Sequence, residues 1–363
     1  MLCGTSIKHQ INLILSWRRN SFMEQNISSY AQYQSTDEQI QGLTEQSKEY
    51  SEIIRGVLDE VENVIVGQQK IVSKVVIAMM ADGHVLLEGV PGLAKTRMVS
   101  TLADTINADF CRIQFTPDLL PADIIGTKIY DNKKDSFVTE KGPIFSNLIL
   151  TDEINRAPPK VQSALLESMQ ERQVSIHGDT FKLEKPFLVL ATQNPIESEG
   201  TYRLPEAQID RFALKLIIDY PSKNNEKIII QRNTQEIKPS AKKVISKKDI
   251  IEIQKFVQKI YADEKIEEYV ASIVDATRNP NEYGIDLEGI IEYGASPRAS
   301  IWLVMTGKAT ALLNGRGFVI PEDIKTVAHD VLRHRISLTF EAEAEGSNTD
   351  MIIDKILENV RAP

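Results

Sequence analysis

The chain has 363 residues and a formal net charge of −9, and 42% of its residues are hydrophobic. This length is sufficient for two or three compact units, and the composition excludes a disordered or fibrous chain. The acidic balance offers no general attraction for the phosphate backbone of nucleic acids, which counts against a nucleic-acid motor. Because the two cysteines, Cys3 and Cys111, cannot build a disulfide framework, we expect a reducing, cytoplasmic location.

The N-terminal segment, residues 1–44, is rich in Ser, Gln, Asn and Tyr and has no sustained apolar period. This pattern predicts a flexible tail. An apolar run at residues 11–17 is interrupted by Asn12 and Ser16 and is much shorter than the roughly 20 residues that cross a bilayer. Arg18 follows this run and no small-residue cleavage site is evident, so we expect neither a membrane segment nor an export signal.

A nucleotide-binding α/β domain is predicted at residues 45–221, where short apolar runs alternate with helical stretches. Such runs indicate strands buried on both faces, as in a parallel sheet covered by helices. The predicted strands are Val85 to Leu87, Ile113 to Phe115, Leu148 to Leu150, Leu188 to Ala191 and Leu214 to Ile218. Turn-rich segments at residues 126–143 and 173–183 predict two inserted hairpins. Helical periodicity dominates residues 222–363, which predicts a second, all-helical domain.

A candidate phosphate-binding loop follows the first predicted strand and precedes a helix. At such a turn, backbone N–H groups and the helix N-terminus point towards phosphate oxygens. Lys95 has the position of the ammonium that reaches the terminal phosphates of ATP, and Thr96 that of a hydroxyl ligand to Mg²⁺. Ala94 stands where the common motif has glycine, so an ordinary turn with an incidental lysine is the alternative. The predicted loop residues are Gly89, Val90, Pro91, Gly92, Leu93, Ala94, Lys95 and Thr96.

Two acids, Asp152 and Glu153, follow the third predicted strand. Phosphoryl transfer needs an acid to hold Mg²⁺, and hydrolysis needs a base or a positioning group for water. We assign Mg²⁺ binding to Asp152 and the water to Glu153, with a helix cap as the alternative. The fourth predicted strand leads to Asn194, which we expect to contact the γ-phosphate. An Asn-Pro pair, such as the one that Asn194 begins, is also a common turn.

The order of these motifs, with Val66, Gly67 and Gln68 upstream, resembles AAA+ ATPases and, more narrowly, the MoxR family. The segments that carry the resemblance are Gly89 to Thr96, Arg112 to Pro121, Asp152 to Pro159, Leu204 to Phe212 and Gly294 to Ala299. In MoxR proteins alanine commonly precedes the loop lysine. The implied fold is a P-loop AAA+ core with a parallel five-stranded sheet and inserted hairpins, followed by an all-helical lid domain.

The resemblance also implies roles that spacing cannot assign. Arg211 resembles the arginine finger that enters a neighbouring subunit's site, and Arg298 resembles the second sensor arginine, carried on the lid. The stretch Val66, Gly67 and Gln68 resembles the one that borders the adenine of ATP. An arginine supplied to the transition state contributes about 10³ to 10⁵ in rate, so we expect activity to require a homo-oligomeric ring, a hexamer by resemblance. For an arbitrary arginine, a surface ion pair is the alternative.

The function that the resemblance implies is ATP hydrolysis to ADP and phosphate by a chaperone-like remodeller of a protein client. Family members assist the maturation of complexes or the insertion of metal cofactors, often beside a protein with a von Willebrand factor A domain. The client role rests on analogy. The alternatives are the ATPase subunit of a chelatase, a nucleic-acid motor of the helicase kind, and a scaffold that binds nucleotide with little hydrolysis.

Overall fold

The computed structural model describes residues 37–90, 92–194, 200–234 and 239–363. A parallel sheet of five strands forms the centre of an α/β domain. The strands of this domain, in chain order, are β1 (Val85–Glu88), β2 (Phe110–Gln114), β3 (Gly126–Asp131), β4 (Ser136–Lys141), β5 (Leu148–Asp152), β6 (Gln173–Ile176), β7 (Asp179–Lys182), β8 (Leu188–Gln193) and β9 (Leu214–Ile217). The sheet has the order β2-β5-β8-β1-β9, which confirms the predicted parallel five-stranded architecture.

Helices cover both faces of this sheet, as the sequence predicts. The helices in this part of the chain are α1 (residues 37–64), α2 (Gln69–Met80), α3 (Lys95–Ile106), α4 (Pro121–Ile125), α5 (Pro159–Glu171) and α6 (Glu206–Ile209). The two predicted hairpins are present as the antiparallel pairs β3-β4 and β6-β7. A salt bridge of 2.8 Å between Lys128 and Asp179 joins one hairpin to the other.

The strand sequences are continuously apolar because each face of the sheet has its own core. Along β1, Val85 and Leu87 belong to one buried cluster and Leu86 belongs to the other. Successive side chains of a strand point to opposite faces, so both faces need apolar residues. β2 is an edge strand and is only half-buried, so its first residues need not form a continuous apolar run. For this reason the apolar pattern predicted a start at Ile113, whereas the strand begins three residues earlier, at Phe110.

The lid domain packs against one face of the sheet. Its elements are α7 (Lys223–Asn233), α8 (Lys247–Lys259), α9 (Glu264–Ala276), β10 (Ile291–Tyr293), α10 (Pro297–Leu313), α11 (Pro321–Leu332), β11 (Ser337–Leu338), α12 (Phe340–Ala344) and α13 (Thr349–Asn359). Leu303 of α10 and Ile324 of α11 are fully buried in the same cluster as Val85 and Leu214. One continuous apolar core therefore joins the lid to the α/β domain.

The structure corrects two expectations about these domains. The lid is not all-helical, because β10 and β11 form a small antiparallel sheet. Within the predicted flexible tail, residues 37–44 are helical and begin α1. Leu43 packs against the core, and the Thr44 hydroxyl accepts a hydrogen bond of 3.2 Å from the backbone N–H of Gly317 in the lid. These tertiary contacts order a segment whose polar composition suggested a tail; residues 1–36 lie outside the described residues.

We find no candidate membrane-spanning helix in the described part of the chain. None of the helices there combines sufficient length with sufficient apolar character to span a bilayer.

Candidate functional site

The predicted phosphate site is a cavity of about 400 Å³ at the carboxyl edge of the sheet. The loop follows β1, Asp152 ends β5 and Asn194 follows β8. Because these strands are parallel, their carboxyl ends meet at one edge, where ligands of open α/β sheets bind. The lining residues are Gly89, Gly92, Leu93, Ala94, Lys95, Thr96, Arg97, Arg112, Gln114, Asp152, Glu153, Thr192, Gln193 and Asn194.

The backbone of the loop explains its unusual residue. Ala94 has φ +55°, in the left-handed region that costs an alanine roughly 1–2 kcal/mol and a glycine almost nothing. Glycine is required at Gly89, where an added Cβ would lie 2.7 Å from the carbonyl oxygen of Ile218. Pro91 lies outside the described residues. Lys95 begins α3, and its ammonium donates a hydrogen bond of 2.5 Å to the Gly89 carbonyl oxygen across the loop.

The charge of Lys95 depends on its surroundings. Burial lowers the pKa of this ammonium, and the nearby carboxylates of Asp152, Glu153 and Glu88 partly oppose that shift. Desolvation disfavours the charged form of a lysine, while neighbouring negative charges favour it. Phosphate groups in the cavity would therefore meet a partly desolvated ammonium that gains from each added negative charge.

The two predicted acids are held side by side by Thr192 of β8. The Thr192 hydroxyl donates a hydrogen bond of 3.3 Å to Asp152 and accepts one of 2.9 Å from the backbone N–H of Glu153. Glu153 has φ +57°, a left-handed conformation that costs a glutamate about 1–3 kcal/mol. Arg156 Nε lies 2.7 Å from the Glu153 carboxylate, and Gln114 donates a hydrogen bond of 3.1 Å to it. The surrounding contacts thus fix a strained residue at the cavity.

Sequence reasoning missed the roles of Arg112 and Gln114. Arg112 Nε lies 2.6 Å from Asp152 Oδ2, so the acid assigned to Mg²⁺ is paired with a guanidinium. Both residues are on β2, beside β5, and Gln114 is in register with Asp152. Their spacing of two along a strand places them on one face, a signal that the sequence does contain.

A second cavity of about 470 Å³ adjoins the first and shares Gly92, Leu93, Ala94 and Arg97 with it. Val66 and Gln68 line this cavity, as expected for the residues assigned to adenine. Gly67 packs against α7, because an added Cβ would lie 2.5 Å from the Asn225 side chain. Arg97 donates a hydrogen bond of 2.7 Å to the Asn233 side chain at the end of α7. The nucleotide cavities therefore lie between the α/β domain and α7.

Arg211 and Arg298 lie elsewhere. They line a separate cavity of about 270 Å³ together with Asp82 and His84. His84 precedes β1 and Gly89 follows it, so the two cavities lie at opposite ends of this strand. His84 and Gly89 themselves are roughly 16 Å apart at about 3.3 Å per strand residue. The structure therefore does not bring Arg298 to the cavity of the phosphate-binding loop in the same chain.

The described residues fit ATP and Mg²⁺. The loop combines a helix N-terminus, the Lys95 ammonium and the Thr96 hydroxyl, and the Asp152 carboxylate faces the same cavity. Hydroxyl and carboxylate oxygens are the protein ligands that Mg²⁺ takes beside nucleotide phosphates. The neighbouring cavity, with Val66 and an apolar wall from Ile65 and Ile229, suits a purine base.

Comparison with known proteins agrees with this geometry. Residues 84–214 match the ATPase family associated with various cellular activities (AAA), and residues 287–356 match the AAA lid domain. The chain is 48% identical over 305 residues to Chaperone MoxR1 of Mycobacterium tuberculosis, which covers 84% of this chain and 81% of that protein. The chain belongs to the MoxR family of AAA+ ATPases.

Further relatives of this MoxR chain support the same assignment. Protein MoxR of Methylorubrum extorquens is 31% identical over 326 residues, with 84% of this chain and 93% of that protein covered. The solved structure of a Cytophaga hutchinsonii protein, described as an inferred ATPase, is 50% identical and superposes with a TM-score of 0.83. That match covers 92% of this chain and 99% of the other. The predicted family and the P-loop AAA+ fold with a lid are confirmed.

The lowered pKa of Lys95 predicts how ATP affinity depends on pH. Because bound phosphates require the charged ammonium, affinity should begin to fall as the pH rises through the lowered pKa of the nucleotide-free protein. This fall should therefore start at a lower pH than for an exposed lysine. Titration of a fluorescent ATP analogue at several alkaline pH values measures it. Lys95→Arg, which keeps its charge over this range, is the control, and an identical decline in that variant would contradict the assignment.

Proposed function

We propose that this MoxR protein hydrolyses ATP to ADP and phosphate at composite sites between the subunits of a closed ring. One subunit binds ATP and Mg²⁺, and its neighbour supplies Arg211 and Arg298. The observation that supports this proposal is the placement of both arginines at the amino edge of the sheet, opposite the phosphate-binding loop. An arginine side chain is much shorter than that separation, so the two halves can act together only across a subunit contact.

Within the subunit that binds ATP, the roles follow the contacts around the cavity. Mg²⁺ held by Thr96 and Asp152 would neutralise charge that develops on the phosphate oxygens. Glu153 is the group that we assign to the attacking water, because its carboxylate faces the cavity while Gln114 and Arg156 hold it. Lys95 and Asn194 are assigned to the terminal phosphate.

The neighbour's contribution comes from two arginines, Arg211 and Arg298, whose N–H groups are not all used within the described part of their own subunit. Arg211 Nε is buried and makes no hydrogen bond within the described residues. The Arg298 side chain is 42% exposed. A guanidinium has five N–H donors, so each arginine can bind a phosphate through N–H groups that its own subunit does not occupy. A γ-phosphate presented by an adjacent subunit would be bound by the exposed part of the Arg298 guanidinium, and we assign Arg211 to the same phosphate, where both cations would stabilise its charge.

A head-to-tail contact between two different faces generates a ring when the rotation closes. The nucleotide face and the arginine face of this protein are such a pair, and we propose a hexamer from the resemblance to AAA+ ATPases. We further propose a chaperone-like role on a protein client, in the maturation of complexes or the insertion of metal cofactors, with a von Willebrand factor A protein as partner. One relative carries the name chaperone, which supports this role by analogy.

Glu153→Gln tests the assignment of the water-positioning group. The amide is close in size to the carboxylate but cannot accept the proton, so we expect turnover to fall by about 10² to 10⁴ while ATP binding is retained. Steady-state phosphate release and equilibrium binding of a fluorescent ATP analogue measure the two effects. Glu184→Gln, on an exposed residue after β7, is the control. Unchanged turnover in Glu153→Gln would remove Glu153 from the mechanism.

Mixing two inactive variants tests whether the site is composite. Glu153→Gln subunits retain Arg211, and Arg211→Ala subunits retain Glu153. In a ring of equal parts of both, about one contact in four combines an intact Glu153 with an intact Arg211 from the neighbour. We expect activity to reappear on mixing, measured as phosphate release after joint reassembly. A mixture that stays as inactive as its two components, despite shared rings, would argue for sites complete within one subunit.

A further inference from the structure

The carboxylate of Asp210 lies where three segments of the chain meet. Its Oδ1 atom accepts hydrogen bonds from Arg335 Nε at 2.8 Å and from the Ser296 hydroxyl at 3.0 Å. Its Oδ2 atom accepts from Arg298 Nη1 at 3.2 Å and from the same hydroxyl at 2.9 Å. Asp210 immediately precedes Arg211. One carboxylate thus links the backbone beside Arg211 to the first turn of α10, which carries Arg298.

Arg335 is the fixed counter-ion of this carboxylate. Its side chain is only 1% exposed. Burial lowers the pKa of Arg335 to about 10 and Asp210 opposes that shift, so the guanidinium remains charged at neutral pH. Arg335 also donates hydrogen bonds to the backbone carbonyl oxygens of Asp210 at 3.0 Å and of Ala213 at 3.3 Å. Because buried charges need compensation, Arg335 and Asp210 hold each other and the backbone around Arg211 in place.

A second carboxylate, that of Asp330, also joins the lid to the α/β domain, but it does not contact the arginine-bearing segments. Asp330 of α11 pairs with Lys74 at 2.9 Å and with Arg333 at 3.2 Å, and its side chain is as little exposed as that of Asp210. Neither of these pairs reaches Arg298 or the loop of Arg211. Two similarly buried carboxylates therefore attach the lid to the α/β domain, and only Asp210 contacts the arginine-bearing segments.

We infer that Asp210, backed by Arg335, is a positioning residue that holds Arg211 and Arg298 of one subunit as a single two-arginine unit. This inference rests on the proposed function, because the unit acts on ATP bound to the neighbouring subunit. Asp210 accepts a charged hydrogen bond from Nη1 of the Arg298 guanidinium, and Arg335 holds the backbone next to Arg211. Together these contacts set the distance between the two arginine-bearing segments. Misplacement of such groups by about 1 Å can cost 10²-fold in rate.

Asp210→Asn and the matched control Asp330→Asn test this inference. Each replacement removes one buried carboxylate charge from the junction between the lid and the α/β domain, so we expect similar losses in Tm. Only Asp210→Asn should lower kcat, by about 10- to 100-fold, because only Asp210 contacts the arginine-bearing segments. Equal effects of both variants on kcat would overturn the inference.

Mixing with Glu153→Gln subunits identifies the side of the contact on which Asp210 acts. Like Arg211→Ala, Asp210→Asn should regain activity in the mixture, because the Glu153→Gln neighbour supplies correctly held arginines. If Arg211→Ala regains activity and Asp210→Asn does not, the inference fails while the proposed composite site stands. If neither regains activity, the composite site itself has failed.

A second variant keeps the test informative if Asp210→Asn does not fold. Asp210→Glu retains the charge that compensates Arg335 but displaces the carboxylate by one methylene group. We expect its Tm to stay close to that of the unmodified protein while its kcat falls. A normally folded Asp210→Glu protein with undiminished kcat would show that the position of this carboxylate does not matter for turnover.

Discussion

The parallel direction of the five strands is the constraint on which the rest of the structure depends. It places the loop after β1, the acids of β5 and Asn194 after β8 at one edge of the sheet. It equally places Arg211, which precedes β9, at the opposite edge. No rotamer change of a side chain spans a strand of four residues. The separation of the two halves of the site therefore follows from topology, and the proposed dependence on a neighbouring subunit follows from that separation.

Coupling between the two halves depends on how the lid is attached. Helices α8 to α13 share one apolar core with a face of the sheet, and Arg335 binds the backbone that leads into β9. In contrast, α7 borders the second cavity, which Val66 also lines, and its Asn233 side chain accepts a hydrogen bond from Arg97. A packed core transmits displacement because it has few voids in which to deform. The lid is thus attached firmly where Arg335 binds the backbone before β9, whereas α7 buries none of its own residues.

The sequence predicts the elements that follow from periodicity and local chemistry. Continuous apolar strands, two hairpins, Lys95 and the pair Asp152 and Glu153 all lie as expected from pattern and spacing. Residues 37–44 could not be placed, because Leu43 and Thr44 are ordered by contacts with the lid that no local pattern reveals. The contact of Arg298 with the Asp210 carboxylate could not be predicted either, since the packing of α10 depends on tertiary contacts. Arg112 and Gln114 are two residues apart on β2, a spacing that places both side chains on one face of the strand. Their contacts with Asp152 and Glu153 explain this pattern.

The rate of ATP hydrolysis per subunit, measured as the protein is diluted, tests the central claim most directly. Sedimentation of the same samples gives the fraction of subunits in rings. If Arg211 and Arg298 complete the site of a neighbour, the rate per subunit should fall in step with that fraction and approach zero for isolated subunits, although these still bind ATP. A rate per subunit that stays constant while the rings dissociate would contradict the account.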